Sequence, residues 1–308
     1  MNTVLIINPF SHNGRSGKDA LKVINYLIDK DFDFEPVFIK RFEDCYTLSK
    51  KANKSGIKNI IAMGGDGTIN KVINGFYNKE GKKISDSRFG VIYTGTSPDF
   101  CRSYQIPTKV FKASDVIIEQ KTREIPVGKI SFFNANRKQV TRYFACCANI
   151  GLGSSLAKKA NSGIRKYLGD STGTFLSLLQ ILIKYKGTDY IVKYDDEEQK
   201  IENVINLSVG ITKYIASGIK FYRKPELAGE YFYLIKAANL RMKNLATFLR
   251  RIYSGREFPD TDFLSVSYAK KINIEKNTEH PDVEFDGDPS GLLPCSIEFA
   301  QDKLSLII

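Results

Sequence analysis

Short apolar runs alternate with helical spacing over the first 120 or so residues. Residues 3–7, 34–39, 59–63 and 89–93 read as strands, and the first, third and fourth are almost wholly apolar. Between them, Leu21, Ile24 and Leu27 or Ile28 fall at helical intervals within residues 19–28. Residues 46–54 and 68–77 read as further helices, and residues 114–119 as the end of another. Strands that alternate with helices form a mostly parallel sheet covered on both faces. From Arg123 the pattern changes. Strand-like stretches at 128–133, 139–149, 189–194, 203–210, 231–237, 263–267, 271–274, 295–299 and 304–308 dominate. Short strands between turn signals predict a β-sandwich. Two helices interrupt it: Phe175, Leu178, Leu179 and Leu182 share one face, and so do Leu245, Phe248, Leu249 and Ile252. The fold expected is α/β over residues 1–122, then a β-rich domain with helical insertions over 123–308. The last strands are open to return toward the first domain.

In a parallel α/β sheet, ligands bind beyond the carboxyl ends of the strands. Three loops rich in Gly, Ser, Asn and Asp fall there: 8–18, 64–70 and 94–102. The second, Gly64-Gly65-Asp66-Gly67-Thr68-Ile69-Asn70, joins a buried strand to a helix start. Glycines let the backbone approach a ligand closely, and the first N–H groups of a helix point at an anion. A carboxylate in a phosphate loop requires a cation between the two, so Asp66 points to a nucleotide carrying Mg²⁺. The first loop, from Asn8 to Lys18, resembles a P-loop but lacks its first Gly and the Ser or Thr after Lys18. It can still hold phosphate through its backbone and Lys18. The third loop, Gly95-Thr96-Ser97-Pro98-Asp99-Phe100-Cys101-Arg102, adds a second carboxylate for a hydrated Mg²⁺. Arg102 can bind a phosphate or hold Asp99. A plain reading makes Asp99 a helix cap.

Composition narrows the classes. The chain has 308 residues, 42% of them hydrophobic and 26% charged, as in ordinary globular domains. No apolar run reaches the roughly 20 residues of a membrane span, and the apolar start lacks a cleavage site, so a cytoplasmic protein is expected. Five scattered cysteines without a C-x-x-C pair imply reduced thiols. Two histidines, His12 and His280, nearly exclude a His-based triad or metal site. The net charge of +12 is spread over both halves, with no basic tail. An anionic phospholipid surface is a natural partner for such a chain. Nucleic-acid binding rests on charge alone and is not expected. The helix of Leu245–Ile252 carries Arg241, Lys243, Arg250 and Arg251 off its apolar face, which suits either a bilayer surface or a solvated helix packed on the sheet. Nothing in the sequence sets the oligomeric state, and a homodimer stays open.

Together, Gly64-Gly65-Asp66-Gly67-Thr68, the Asn8-Pro9-x-Ser11 loop and Gly95-Thr96-x-x-Asp99-Phe100-x-Arg102 resemble the diacylglycerol kinase catalytic family, related to sphingosine and ceramide kinases. The likeness implies an N-terminal nucleotide domain similar to NAD kinase and phosphofructokinase, followed by a β-rich lipid-binding domain. It implies ATP and Mg²⁺, a lipid hydroxyl as acceptor, and peripheral association with a membrane. Asn8, Pro9, Ser11, Lys18, Gly64, Gly65, Asp66, Gly67, Thr68, Asn70, Gly95, Thr96 and Arg102 would then bind nucleotide, with Asp66 and Asp99 at the metal. Val283-Glu284-Phe285-Asp286-Gly287-Asp288 resembles the family's Asp-Gly-Glu, whose Glu accepts the hydroxyl proton, so Asp288 takes that role beside Asp286. Read without the likeness, Asp-Gly-Asp-Pro is turn chemistry. The chain departs from the family at Pro98, where Asn is usual, at Pro126 and Asp288, and over residues 227–230, where a structural Mg²⁺ site lies in some members. A soluble kinase of the NAD-kinase type and a non-catalytic sensor are the alternatives.

Overall fold

A computed structural model describes residues 2–151, 187–195, 197–215, 219–222, 224–257, 259–275, 283–285 and 288–308. The expected helix of Phe175–Leu182, together with Gly153, His280, Asp286 and Gly287, lies outside the described residues. The chain divides into two compact units, residues 1–127 with 300–308 and residues 128–299.

The first unit follows the strand–helix alternation. Its elements are β1 (Thr3–Ile7), α1 (Arg15–Asp29), β2 (Glu35–Phe38), α2 (Asp44–Lys54), β3 (Asn59–Gly64), α3 (Asp66–Asn74) and β4 (Arg88–Tyr93). They continue with α4 (Asp99–Tyr104), α5 (Val110–Glu119) and β5 (Thr122–Ile125). Strands β2, β1, β3 and β4 are parallel neighbours in that order. Leu5, Ile7, Ile61 and Met63 pack against Ala20, Val23 and Leu27 of α1 and Ala113 and Ile117 of α5. The alternate set, Val4, Ile6, Ile60 and Ala62, is just as buried, so helices cover both faces. That double burial is why these strands read as continuous apolar runs. On the other face α2 is tied to α3 by the Ser49 hydroxyl, which donates to the Val72 carbonyl at 2.7 Å. The register matches Ile7 with Met63 and Gly64 with Tyr93, so these three strands end together. The sequence reading misses α4, whose six residues are too few to show a period.

The second unit is β-rich. It begins with β6 (Gly128–Phe133), β7 (Gln139–Phe144), β8 (Cys147–Gly151), β9 (Thr188–Tyr194), β10 (Glu197–Gly210), β11 (Tyr214–Ile215) and β12 (Ile219–Lys220). It continues with β13 (Phe232–Ala238), α6 (Leu245–Ser254), β14 (Leu264–Ala269), β15 (Ile272–Glu275), β16 (Val283–Phe285) and β17 (Asp288–Phe299). Ten of these strands form one sheet, of which the path β10-β8-β16-β17-β15-β9 closes because β9 also pairs with β10. The expected face-to-face strands thus belong to a sheet curled into a barrel-like wall. Strand β10 makes this possible. Its first half pairs with β9 and its second half with β8, and the register shifts between Ile201 and Val204 around Asn203, whose φ is 50°. Inside sit Ile130, Phe144, Leu207, Val209, Phe232, Leu234 and Ile297, with Phe232 stacked 3.9 Å from Phe299. The single strand expected over 139–149 is two, β7 and β8, interrupted at Ala145 and Cys146. Helix α6 buries Phe248 against Ala237 and Leu264, with Leu249 and Ile252 packed beside it, so its apolar face is spent on the sheet while Arg241, Lys243 and Arg250 stay exposed.

The last strand, β18 (Leu304–Ile307), belongs to the first unit. It pairs parallel with β4 and antiparallel with β5. All five cysteines are free thiols and buried. Burial pushes Cys45 and Cys295 up to about 12.

Candidate active site

The carboxyl ends of β1, β3 and β4 carry the three loops, and the loops are interlocked. Asn8 closes the first contact: its backbone N–H donates to the Met63 carbonyl at 2.9 Å and its side-chain amide to Thr68 Oγ1 at 2.9 Å. Its Oδ1 accepts from the Phe10 N–H at 3.0 Å. Asn8 therefore holds the first loop onto α3. Ser16, near the start of α1, makes the second contact, a buried hydroxyl pair with Thr94 at 2.7 Å. The third joins β3 to β4, where the Thr94 N–H donates to the Gly64 carbonyl at 2.9 Å.

The glycines are set by space. A Cβ on Gly64 would lie 2.6 Å from the Thr68 Cβ, and one on Gly65 would lie 3.2 Å from the Gly95 Cα. From the other side, a Cβ on Gly95 would lie 2.5 Å from the Gly65 Cα and 2.6 Å from the Tyr93 hydroxyl oxygen. The two loops thus meet backbone to backbone, and only glycine fits. Gly95→Ala should cost about 1–3 kcal/mol, the usual penalty of overpacking, read as a lower midpoint in urea unfolding. An unchanged midpoint would show that the loops part easily.

Helix α3 begins at Asp66, with Gly65 extended before it and no side-chain cap. A helix start bare of a capping side chain, lined by close-packed glycine backbone, is an anion cradle. Asp66 is fixed by a neighbour the sequence reading missed. The Tyr93 hydroxyl donates to Asp66 Oδ2 at 3.1 Å and accepts from the Ser97 N–H at 2.8 Å. Burial, and then Asp66, push the Tyr93 phenol well above its ordinary range, so it stays a donor. The same two causes raise Cys101. Tyr93 reads as the last apolar residue of a buried strand, and only the register with Gly64 shows where its hydroxyl ends up.

The third loop runs into α4. Pro98 occupies the cap position, and Asp99 is the first helical residue and buried. No side chain caps this helix, so Asp99 does not act as its cap. Phe100 is a core residue, edge-on to Phe89 at 6.1 Å. Arg102 and Lys18 are exposed. In the first loop His12, Asn13 and Gly14 have φ of 52°, 55° and 84°, and the N–H groups of Gly14 and Ser16 turn back onto the Ser11 carbonyl. That loop closes on itself before α1 starts. Phe42, exposed, lies against Gly67 and under the Lys71 ammonium at 5.5 Å.

Among the described residues no three acidic, His or Cys side chains gather as a metal cage. Two carboxylates suffice for Mg²⁺, which prefers oxygen donors, keeps several waters and takes the rest of its ligands from phosphate. Asp66 and Asp99 fit that donor chemistry. The glycine cradle at 64, 65 and 95 fits a phosphate chain.

In the second unit Phe285 pairs with Asp288 and Glu284 with Pro289, so Asp288 begins β17 directly across from the end of β16. Beside it runs a polar row not foreseen from the sequence. Asn149 Nδ2 donates to Glu284 at 2.6 Å, the Ser208 hydroxyl to Asn149 Oδ1 at 2.7 Å, and Asn206 to Ser208 at 2.8 Å. The register aligns Glu284, Asn149 and Ser208 across three strands. Val283, Phe285, Ala148, Ile150, Leu207 and Val209 alternate with them into the core.

The profile of the diacylglycerol kinase catalytic domain matches residues 2–130. The chain carries a diacylglycerol kinase catalytic domain. It is a lipid kinase. A diacylglycerol kinase of Staphylococcus saprophyticus is 27% identical over 290 residues, covering 92% of this chain and 89% of its own. One from Staphylococcus carnosus is 26% identical with the same coverage. The crystal structure of a diacylglycerol kinase from Bacillus anthracis superposes with a TM-score of 0.69 at 21% identity, over 99% of this chain and 96% of that one, and shares the fold. The kinase domain thus contains all three interlocked loops, and the likeness in fold continues through the β-rich unit.

Proposed function

We propose that this lipid kinase transfers the γ-phosphate of ATP to the hydroxyl of diacylglycerol or a related lipid of the sphingosine or ceramide type. The observation that carries the reading is the backbone-to-backbone meeting of Gly65 and Gly95 beside Asp66 at the start of α3. Gly64, Gly65, Gly67, Thr68 and Asn70 supply the phosphate cradle. Asn8, Pro9 and Ser11 shape the adjoining loop, and Lys18 and Arg102 offset negative charge. Gly95 and Thr96 border the nucleotide from the third loop. When bound, Mg²⁺ neutralises phosphate charge and is held by Asp66 and Asp99, largely through water. Asp288 accepts the proton of the lipid hydroxyl as that oxygen attacks, with Asp286 beside it in sequence. Positioning and charge neutralisation carry most of the rate in such transfers.

The lipid acceptor places the enzyme at a membrane surface, associated peripherally. No helix among the described residues is long and apolar enough to cross a bilayer. The exposed Arg241, Lys243 and Arg250 around α6 suit an anionic phospholipid surface.

The test is ATP consumption and product mass in mixed micelles of diacylglycerol, sphingosine or ceramide, beside detergent alone. At least one lipid should raise turnover and emerge phosphorylated. Equal turnover in detergent alone would point instead to a soluble acceptor. Nucleotide binding with no phosphorylated lipid from the whole panel would sink the catalytic reading.

A further inference from the structure

Tyr93 belongs to none of the three loop motifs, yet its hydroxyl joins two of them. We propose that Tyr93 is the positioning residue of the nucleotide loop, setting the Asp66 carboxylate through one hydrogen bond and coupling it to the third loop through another. The inference rests on the reading of Asp66 as the carboxylate that faces the nucleotide's Mg²⁺.

The geometry gives one oxygen two different duties. As a donor it meets Asp66 Oδ2 at 3.1 Å; as an acceptor it takes the Ser97 N–H at 2.8 Å. Tyr93 itself is buried, and Gly95 packs so closely over its ring that a Cβ there would lie 2.8 Å from the ring carbon bearing the hydroxyl. The phenol therefore has little room to swing away. A carboxylate at the start of a helix otherwise rotates among several rotamers. Pinning Oδ2 fixes the plane of the carboxylate and hence the direction in which Oδ1 points. Because the Ser97 N–H holds the same oxygen, a shift of the 94–98 segment moves the phenol and with it Asp66. Ligand contact at Gly95 or Thr96 would in this way be felt at the metal-facing carboxylate, without a contact between the two.

The role differs from packing, since Phe fills the same space as Tyr and lacks only the hydroxyl, which is donor to Asp66 and acceptor from Ser97. Calorimetry of ATP binding, with Mg²⁺ and then with EDTA, gives an affinity ratio that reports on the carboxylates facing the metal. In the wild type Mg²⁺ should tighten binding. Tyr93→Phe should shrink that ratio about tenfold, the usual worth of a hydrogen bond to a charged group, with circular dichroism and the ATP–EDTA affinity unchanged. In an Asp66→Asn background the same change should have little further effect on the ratio, since no carboxylate is left at position 66 for the phenol to aim at the metal. A wild-type ratio in Tyr93→Phe overturns the assignment, as does an undiminished effect in Asp66→Asn. If Tyr93→Phe fails to fold, 3-fluorotyrosine at position 93 keeps the shape and strengthens the donor, and the ratio should rise; an unchanged ratio there overturns the assignment. Absence of any Mg²⁺ gain in the wild type is a separate result. It removes the nucleotide reading of Asp66 before Tyr93 is tested.

Discussion

Asp288→Asn should lower kcat for phosphate transfer to the best lipid by roughly 10²–10⁴-fold, the ordinary share of a general base. The KM for MgATP should hardly move. Asparagine keeps the shape and most of the polarity of aspartate but cannot take a proton, so the loss would report on chemistry and not on folding. Asp288 pairs with Phe285, and Phe285 is buried 5.7 Å from Phe132 in the core of the β-rich unit. A substitution at the first residue of β17 therefore leaves the hairpin registered. Asp288→Glu lengthens the side chain by one methylene, keeps the carboxylate and restores the residue usual in the family. It should retain activity within about tenfold, because the proton acceptor is still present. Full activity of Asp288→Asn, measured by phosphorylated lipid per unit time, would remove Asp288 from the mechanism.

Asp66→Asn should reduce kcat/KM for MgATP by about 10²–10³-fold, the size seen when one preorganised electrostatic group is removed from a transfer site. Two features keep this variant interpretable. The amide oxygen of asparagine can still accept the Tyr93 hydroxyl, so the link at 3.1 Å survives. The neighbouring Gly64 and Gly65 are untouched, so the cradle stays open. The loss should therefore fall on Mg²⁺-dependent steps, and more Mg²⁺ should recover part of it. Steady-state kinetics over a Mg²⁺ series measures both. Wild-type kinetics at every Mg²⁺ concentration would show that Asp66 faces no metal.

The parallel sheet was legible because its strands are buried on both faces and so leave unbroken apolar runs, as at residues 59–63. The glycine loop was legible because Gly64, Gly65 and Gly95 sit where a side chain would collide with a neighbour. Other features depend on partners far away in sequence. Strand β10 begins at Glu197, earlier than its apolar pattern suggests, because its first four residues are polar and exposed. Strand β17 begins at Asp288 and contains Pro289, Gly291 and Pro294, residues that read as turn material. Inside a strand paired on both sides they are carried by the pairing. The row from Glu284 through Asn149 to Ser208, and the Tyr93–Asp66 contact, exist only once register is set. Polar residues such as Asn149 then find partners that local periodicity cannot foretell.

Strand β18 gives the molecule a schedule. The sheet that carries the nucleotide loops needs residues 304–307 between β4 and β5. A ribosome delivers those residues after all of the β-rich unit. Strands β1 to β4 can pair as they emerge, but β5 waits for its neighbour until synthesis has passed residue 307. The phosphate site is thus built on a sheet completed last, so a nascent chain holds the loops long before it holds the finished platform beneath them.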